Sequence, residues 1–196
     1  MIISTGDAAE RLSRGEVVAY PTETVYGLGV DTDSATALAA LHPLKERAAE
    51  QGMSVLVPDL AALEARRVPL PEVVRRLAAR YWPGPLTLVL PLPEGHYSLI
   101  RTAYGVGFRC SPDPTASALA RLLPARLVST SANRSGEPPC TDAEQVESVF
   151  GRDFPIAGGD PAGAAEPSTV VAVRCSGALE CLRSGAIPFA ELEKEL

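Results

Sequence analysis

Two cations stand close together in a chain that otherwise uses lysine sparingly. Lys45 and Arg47 lie one residue apart in the segment PLKERAAEQG, and Lys194 is the only other lysine. A compact ammonium beside a planar guanidinium suits a polyphosphate ligand. The alternative is a solvated charge cluster with Glu46 and Glu50 as partners. The segment follows a predicted helix, so we expect Lys45 to lie in an exposed loop.

A second group of polar side chains follows the apolar run Val17–Tyr20. The segment AYPTETVYGLG, residues 19–29, places Thr22, Glu23 and Thr24 directly after this run. If the backbone stays extended, the two threonines point to one side and the glutamate to the other. Two hydroxyls on one side suit a carboxylate or an amine. They also suit a local turn, in which they would satisfy neighbouring backbone groups.

Hydroxyl and amide side chains accumulate again in STSANRSGEP, residues 129–138. In an extended backbone Ser129, Ser131 and Asn133 share one face, and Asn133 is the only asparagine of the chain. These side chains can donate hydrogen bonds to phosphate oxygens or base edges without adding charge. An Asx or Ser turn is the alternative. Ser168 and Thr169 repeat the pattern in EPSTVV, where hydroxyls lead into an apolar run.

Two arginines end apolar runs, and the two histidines stand apart from other candidate ligands. Arg109 and Arg183 would carry guanidinium groups at strand ends, or else be surface arginines with packed stems. His42 and His96 are far apart in the sequence and have no ligand-like neighbours. We therefore expect neither a metal site nor a histidine-based catalytic triad.

Strand-like and helix-like segments alternate along the chain and would position these residues. Strands are predicted at 2–3, 17–20, 53–57, 86–90, 106–110, 127–129, 170–173 and 179–182. Helices are predicted at 7–13, 34–41, 71–82, 115–123 and 141–149. Pro71 is expected in the first turn of its helix, and Thr141 with Glu144 predicts a capping box. The order predicts one α/β or α+β domain over residues 1–196, built around a twisted sheet.

Composition limits the classes of function. A chain of 196 residues with 46% hydrophobic and 21% charged residues is typical of a globular protein. No apolar run has the length of a membrane span, and the N-terminus lacks the core of a signal peptide. The four cysteines form no C-x-x-C pair, which favours reduced thiols in a cytoplasmic protein. The net charge of −6 disfavours broad binding to nucleic acids or acidic membranes.

Several motifs, taken together and in order, resemble one family. The motifs are YPTETVYGLG, the Lys-x-Arg of Lys45 and Arg47, WPGPLT, STSANRSG, PSTVV and LRSGAI. They extend from about Gly15 to Ile187 and resemble the YrdC/TsaC-like threonylcarbamoyl-AMP synthases in their single-domain form. The resemblance implies a twisted mixed sheet with flanking helices around a large cationic cavity. It also implies that L-threonine, bicarbonate or carbon dioxide, and ATP react to give threonylcarbamoyl-AMP and pyrophosphate.

The resemblance divides the candidate residues between two substrates. The threonine-binding residues would be Thr22, Arg109, Ser129 and Thr169, with Arg109 pairing the carboxylate. The ATP-binding residues would be Lys45, Arg47, Ser131, Asn133 and Arg183. Lys45 and Arg47 would also be the catalytic residues, because they would grip the phosphates. Mg²⁺ is expected on the nucleotide phosphates, since no carboxylate cluster suggests a protein cage.

The chain departs from the family pattern at five positions. They are Glu46, Ala48, Met53, Ser54 and Ser111, where relatives usually have Gly, Pro, a Pro-Leu pair and Pro respectively. The implied partners are proteins that transfer the threonylcarbamoyl group to tRNA, whereas direct tRNA binding is disfavoured by the net charge. Two other functional hypotheses stay open. One is a double-stranded RNA or tRNA-binding module of the same fold, and the other is a nucleotide or carbamoyl enzyme acting on another amine.

Overall fold

One ten-stranded mixed sheet forms the centre of the protein. The computed structural model describes residues 1–45, 53–95, 97–159 and 166–196. The strands are β1 (Ile2–Ile3), β2 (Val18–Tyr20), β3 (Gly27–Asp31), β4 (Ser54–Leu56), β5 (Leu86–Leu90), β6 (Val106–Arg109), β7 (Leu127–Ser131), β8 (Ile156–Ala157), β9 (Thr169–Val173) and β10 (Leu179–Arg183). The helices are α1 (Thr5–Ser13), α2 (Ala35–Lys45), α3 (Leu60–Ala65), α4 (Glu72–Tyr81), α5 (Pro114–Leu122), α6 (Ala143–Phe150) and α7 (Phe189–Glu193).

Strand order brings distant parts of the sequence together. The order across the sheet is β1-β8-β2-β3-β7-β4-β6-β5-β9-β10. β4 pairs with β6 and β5 with β9 in parallel, while β5–β6 and β9–β10 are antiparallel. β6 and β10 therefore run in the same direction, so Arg109 and Arg183, at their C-terminal ends, lie on the same side of the sheet along the strand direction. The mixed sheet flanked by helices confirms the predicted α/β class.

The period of two along each strand separates a core face from an open face. Val106 and Phe108 of β6 belong to the main hydrophobic core, together with Leu41 of α2 and Leu77 of α4. Gly107 and Arg109 point to the other face, where a second core packs α1 and α5 against one part of the sheet. Beyond those two helices, this face carries a cavity. Residues of β3, β4, β5, β6, β7, β9 and β10 line this cavity, and on β5 and β6 they alternate with core residues.

Strand β3 was not predicted, because glycine disfavours strands and two glycines interrupt this segment. The structure shows what the glycines do. Gly27 and Gly29 lie opposite β2, and the buried Tyr20 ring covers them. A Cβ atom added at Gly29 would lie 2.6 Å from that ring. The packing of Tyr20 therefore requires glycine at this position, and tertiary contacts override the local preference.

The structure corrects the prediction for Lys45. It is the last residue of α2 and is buried, with 3% of its surface exposed, so its placement in an exposed loop was wrong. Arg47, Glu46 and Ala48 lie outside the described residues.

Several other predicted details also change. Helix α6 is capped by Asp142 rather than by Thr141, and Gln145 rather than Glu144 bonds back to the Thr141 backbone N–H. Pro71 precedes α4 as its N-cap residue. Strand β7 extends two residues beyond its predicted end, to Ser131, and α3, α7 and β8 were not predicted. In the described ranges, no helix combines the length and apolar character needed to cross a membrane.

Candidate active site

A large cavity lies on the open face of the sheet. Its volume is about 980 Å³. The lining residues include Arg101, Arg109 and Arg183, whereas Glu137 is the only acidic residue in the part of the wall that the structure describes. The cavity of a chain with net charge −6 is thus locally positive. Focused positive charge in a recess attracts anionic ligands.

Arg109 is fixed at the end of β6 by two side chains of the segment between β2 and β3. Its Nη2 group donates to the Thr24 hydroxyl at 3.0 Å and forms a salt bridge with Glu23. The Ser111 hydroxyl donates to the second carboxylate oxygen of Glu23. The Arg109 Nε–H group is buried and has no hydrogen-bond partner among the described residues. The guanidinium is therefore held firmly while part of its donor capacity stays unused.

Thr22 and Thr24 lie side by side at the cavity wall, as their spacing predicts. Their hydroxyl oxygens are 3.1 Å apart. The Thr22 hydroxyl donates to the carbonyl of Val25 at 2.6 Å and accepts the backbone N–H of Thr24 at 3.2 Å. The local-turn alternative thus describes Thr22 in this structure. The Thr24 hydroxyl, in contrast, faces Arg109.

Arg183 ends β10 and bonds to the segment before β9. Its Nη2 donates to the carbonyl oxygen and hydroxyl of Ser168 at 2.8 and 2.9 Å. The Ser168 hydroxyl also contacts that of Thr87 at 3.0 Å. Partial burial in the cavity, and then the positive charge of Arg109, lower the pKa of the Arg183 guanidinium. A ligand anion beside Arg183 would favour its charged form and offset both effects.

Lys45 joins α2 to the end of β7. Its ammonium donates to the carbonyl oxygen of Ser131 and to the side-chain oxygen of Asn133, both at 2.6 Å. The Ser131 hydroxyl donates to the same Asn133 oxygen, and the Asn133 amide donates to the Glu137 carbonyl. Ser131 and Asn133 line the cavity, and Lys45 supports them from behind the wall. The predicted grouping of these three residues is therefore present.

The remaining predicted residues lie in different places. Ser129 lines the cavity. The Thr169 hydroxyl does not, because it donates to the Ile187 carbonyl at 2.7 Å and accepts the Ile187 N–H at 2.9 Å. Its neighbour Ser168 forms that part of the wall instead.

Several polar residues at or behind the wall were not among the predicted site residues. They include Glu23, Arg101, Ser111 and Ser168. Arg101 precedes no regular strand, and its guanidinium donates to the carbonyl oxygens of Leu92 and Pro93. Glu23 and Ser111 are 88 residues apart, so no local pattern pairs them. Two of these four lay within segments that the sequence had marked: Ser168 precedes Thr169 in EPSTVV, and Glu23 lies between Thr22 and Thr24 in YPTETVYGLG.

A family model described as telomere recombination, for Sua5, YciO and YrdC proteins, matches residues 10–185. The chain belongs to the Sua5/YciO/YrdC family. It is 38% identical over 165 residues to a protein named threonylcarbamoyl-AMP synthase from Chromohalobacter salexigens, covering 84% of this chain and 89% of that one. It is 35% identical over 166 residues to the protein of the same name from Escherichia coli K12, covering 83% and 87%.

Solved structures of family members share the fold. P. abyssi Sua5 complexed with L-threonine superposes with a TM-score of 0.88 and 31% identity over the whole of this chain. This chain spans 61% of the length of that protein. E. coli YciO superposes with a TM-score of 0.81 at 22% identity, covering 93% of this chain and 89% of YciO. At that identity, the likeness to YciO concerns the fold alone.

Proposed function

We propose that this protein is a threonylcarbamoyl-AMP synthase, which uses L-threonine, bicarbonate or carbon dioxide, and ATP. The observation that carries the proposal is a positive cavity with two separately held guanidiniums, at Arg109 and Arg183. The names of the curated relatives at 35–38% identity support the same reaction. Residues 1–196 act as one domain in this proposal.

The Arg109 side of the cavity is assigned to threonine. A guanidinium that already donates to one carboxylate, that of Glu23, can pair a substrate carboxylate through its remaining donors. Thr24 and Ser129 line the wall and offer hydroxyls to the amine and side chain of the substrate. Thr22 lines the same wall, and its hydroxyl, bonded to Val25, holds the turn that presents Thr24. Thr169 acts here by holding the strand end, because its hydroxyl bonds to Ile187.

The Arg183 side of the cavity is assigned to ATP. Arg183 supplies a charge that no carboxylate in the described parts of the chain neutralises, and Ser131 and Asn133 offer uncharged polar groups. Arg101 adds a third cation to the wall. Lys45 fixes Ser131 and Asn133, and its proximity adds positive charge behind them. Arg47 remains a proposed phosphate ligand.

The proposed reaction needs no protein nucleophile. The neutral amine of threonine attacks carbon dioxide, a C–N bond forms, and one proton leaves the nitrogen to give a carbamate. A carbamate oxygen then attacks the α-phosphorus of ATP, and the bond to the β-phosphate oxygen breaks as pyrophosphate departs. The chain's residues align two anions and offset charge on the phosphorus and the leaving group.

The proposal includes a metal ion and later steps. Among the described residues, no group of three His, Cys, Asp or Glu side chains can hold a metal ion. We therefore assign Mg²⁺ to the nucleotide phosphates, where it would offset their charge. The product would pass to proteins that transfer the threonylcarbamoyl group to adenosine in tRNA, within the cytoplasm.

Direct detection of the product tests this function. Purified protein is incubated with ATP, Mg²⁺, L-threonine and ¹³C-bicarbonate, and the mixture is analysed by mass spectrometry. The expected result is threonylcarbamoyl-AMP that carries one ¹³C atom, and no adduct when threonine is omitted. An adduct formed with another amine at a higher rate would support the alternative carbamoyl enzyme. Salt-sensitive RNA binding without any adduct would support an RNA-binding module instead.

A further inference from the structure

The Arg109 guanidinium is the innermost member of a polar chain that runs outward from the cavity. Arg109 and Thr24 line the cavity, whereas neither Glu23 nor Ser111 is among the described lining residues. Glu23 contacts Arg109 from behind, and Ser111 contacts Glu23 in turn. Both side chains of the salt bridge are largely buried, with 10% of Arg109 and 18% of Glu23 exposed. Glu23 is thus placed to act on the substrate only through Arg109.

Ser111 is itself fixed by the start of a helix. Its hydroxyl oxygen accepts the backbone N–H of Asp113 at 3.2 Å. Asp113 is the N-cap of α5, which packs into the core beside α1. The orientation of Glu23 is therefore tied to a rigid element rather than to a loop alone. This matters because an arginine side chain has several freely rotating bonds, and a binding guanidinium is effective only when it is held in place.

Both carboxylate oxygens of Glu23 are engaged. One accepts from Arg109 and the other from Ser111, so the carboxylate is held in one orientation beside Arg109. The Thr24 hydroxyl accepts a bond from the same Arg109 nitrogen. Two acceptors on one nitrogen fix the rotation of the guanidinium plane. The plane then presents its cavity side to a ligand in one orientation.

We propose that Glu23, held by Ser111, is the positioning residue that aims Arg109 at the carboxylate of the amino-acid substrate. The inference rests on the proposed function, because it assumes an amino acid in the cavity. It adds two residues that neither the sequence patterns nor the cavity wall assign to the site.

Calorimetric titration of L-threonine into the full-length protein tests the proposal. Glu23→Ala is expected to raise the threonine Kd about tenfold, because a misplaced binding group loses most of its effect. Glu23→Gln keeps an acceptor for Arg109 and is expected to raise the Kd about two- to threefold, as is Ser111→Ala. Ser111→Thr restores the hydroxyl and is expected to return the Kd to near the wild-type value. The ATP Kd stays within twofold of wild type in every variant.

A ligand without a carboxylate separates positioning from general damage. L-threoninol carries a CH₂OH group in place of the carboxylate, so aiming Arg109 matters little for it. The expected result is equal threoninol affinity for wild type and Glu23→Ala. The matched control is Glu64→Ala, which removes a carboxylate that pairs with Arg75 away from the described cavity wall. Its threonine Kd should stay within twofold of wild type.

Three results would overturn the proposal while leaving the function intact. They are an unchanged threonine Kd in Glu23→Ala, an equal loss for threonine and threoninol, and tighter threonine binding in Glu23→Ala. The last would show that Glu23 competes with the substrate for Arg109. A wild-type protein that binds no threonine, with or without ATP, would overturn the proposed function together with this inference.

Discussion

Arg109 and Arg183 line the same cavity but differ in what surrounds their charge. Each is the last residue of its strand, and the two strands run in the same direction. Arg109 is paired with the carboxylate of Glu23. Arg183 bonds to the neutral oxygens of Ser168, and no carboxylate of the described chain lies within salt-bridge distance of it. One guanidinium is therefore locally neutralised, and the other is not.

The difference matches the charges of the two proposed ligands. A single substrate carboxylate needs a precisely oriented donor more than it needs excess positive charge, and Arg109 offers orientation. A triphosphate carries several negative charges and benefits from a cation that no internal carboxylate has neutralised. Partial burial, and then the positive charge of Arg109, lower the pKa of the Arg183 guanidinium, so the protein itself does not offset this charge. The Arg109 side of the cavity thus orients a ligand, and the Arg183 side supplies positive charge.

Among the substitutions that test this comparison, removal of Arg109 should have the largest effect on ligand affinity. Arg109→Ala is expected to raise the threonine Kd by about 30- to 4,000-fold, because losing one member of a buried charged pair costs about 2–5 kcal/mol. The ATP Kd should change less than threefold. Calorimetry measures both, and circular dichroism checks folding, since Glu23 loses its cation. Arg109→Lys keeps the charge without the planar fork and should be intermediate. Equal losses of affinity for threonine and ATP would contradict the assignment of Arg109 to threonine.

Arg183→Ala should give the opposite pattern with a smaller effect. We expect the ATP Kd to rise about tenfold, since the lost contact is a more solvent-accessible charge. Threonine affinity should stay within twofold. Added salt should weaken ATP binding to the wild type more than to this variant, because the variant has one cation fewer to screen. A threonine Kd that rises as much as the ATP Kd would contradict the separation.

Lys45 tests whether the support behind the wall is structural as well as functional. Lys45→Ala should lower the free energy of unfolding by about 1–3 kcal/mol, because it removes a donor from buried acceptors at Ser131 and Asn133. Chemical denaturation measures this change, and the rate of pyrophosphate release should fall as well. Lys194→Ala is the matched control, since Lys194 forms an exposed pair with Glu191 and should contribute almost nothing. Identical unfolding curves for the two variants would show that Lys45 has no supporting role.

The sequence predicted the regular parts of the fold and the positions of the strand-end cations. The limits of β5 agree at both ends, and Arg109 and Arg183 end strands as expected. Those predictions rest on local apolar patterns, which reflect burial directly. β3 was missed because packing against the ring of Tyr20, rather than local strand preference, determines that residues 27 and 29 are glycines.

The candidate site was predicted less completely, for a related reason. The motifs predicted that Ser131 and Asn133 lie together. Whether a hydroxyl faces a ligand, however, depends on partners far along the chain. Thr169 bonds to Ile187, 18 residues away, and this contact turns it from the cavity. The bond between Ser111 and Glu23 likewise depends on tertiary packing.

The smallest predicted effect concerns the methyl group of threonine. L-serine should be used about five- to tenfold less efficiently than L-threonine, because one buried methyl contact is worth about 1 kcal/mol or slightly more. Competition between the two amino acids in a pyrophosphate-release assay measures the ratio. Equal efficiency would show that the Arg109 side recognises only the amino-acid backbone.

The central claim is that one cavity binds two anionic substrates and joins them. The most direct measurement is pyrophosphate release by the wild-type protein, with ATP, bicarbonate and L-threonine each omitted in turn. The account predicts release only when all three are present, because the carbamate formed from threonine is the group that attacks the α-phosphorus. Release at an unchanged rate without threonine would indicate a nucleotide hydrolase and would contradict the account.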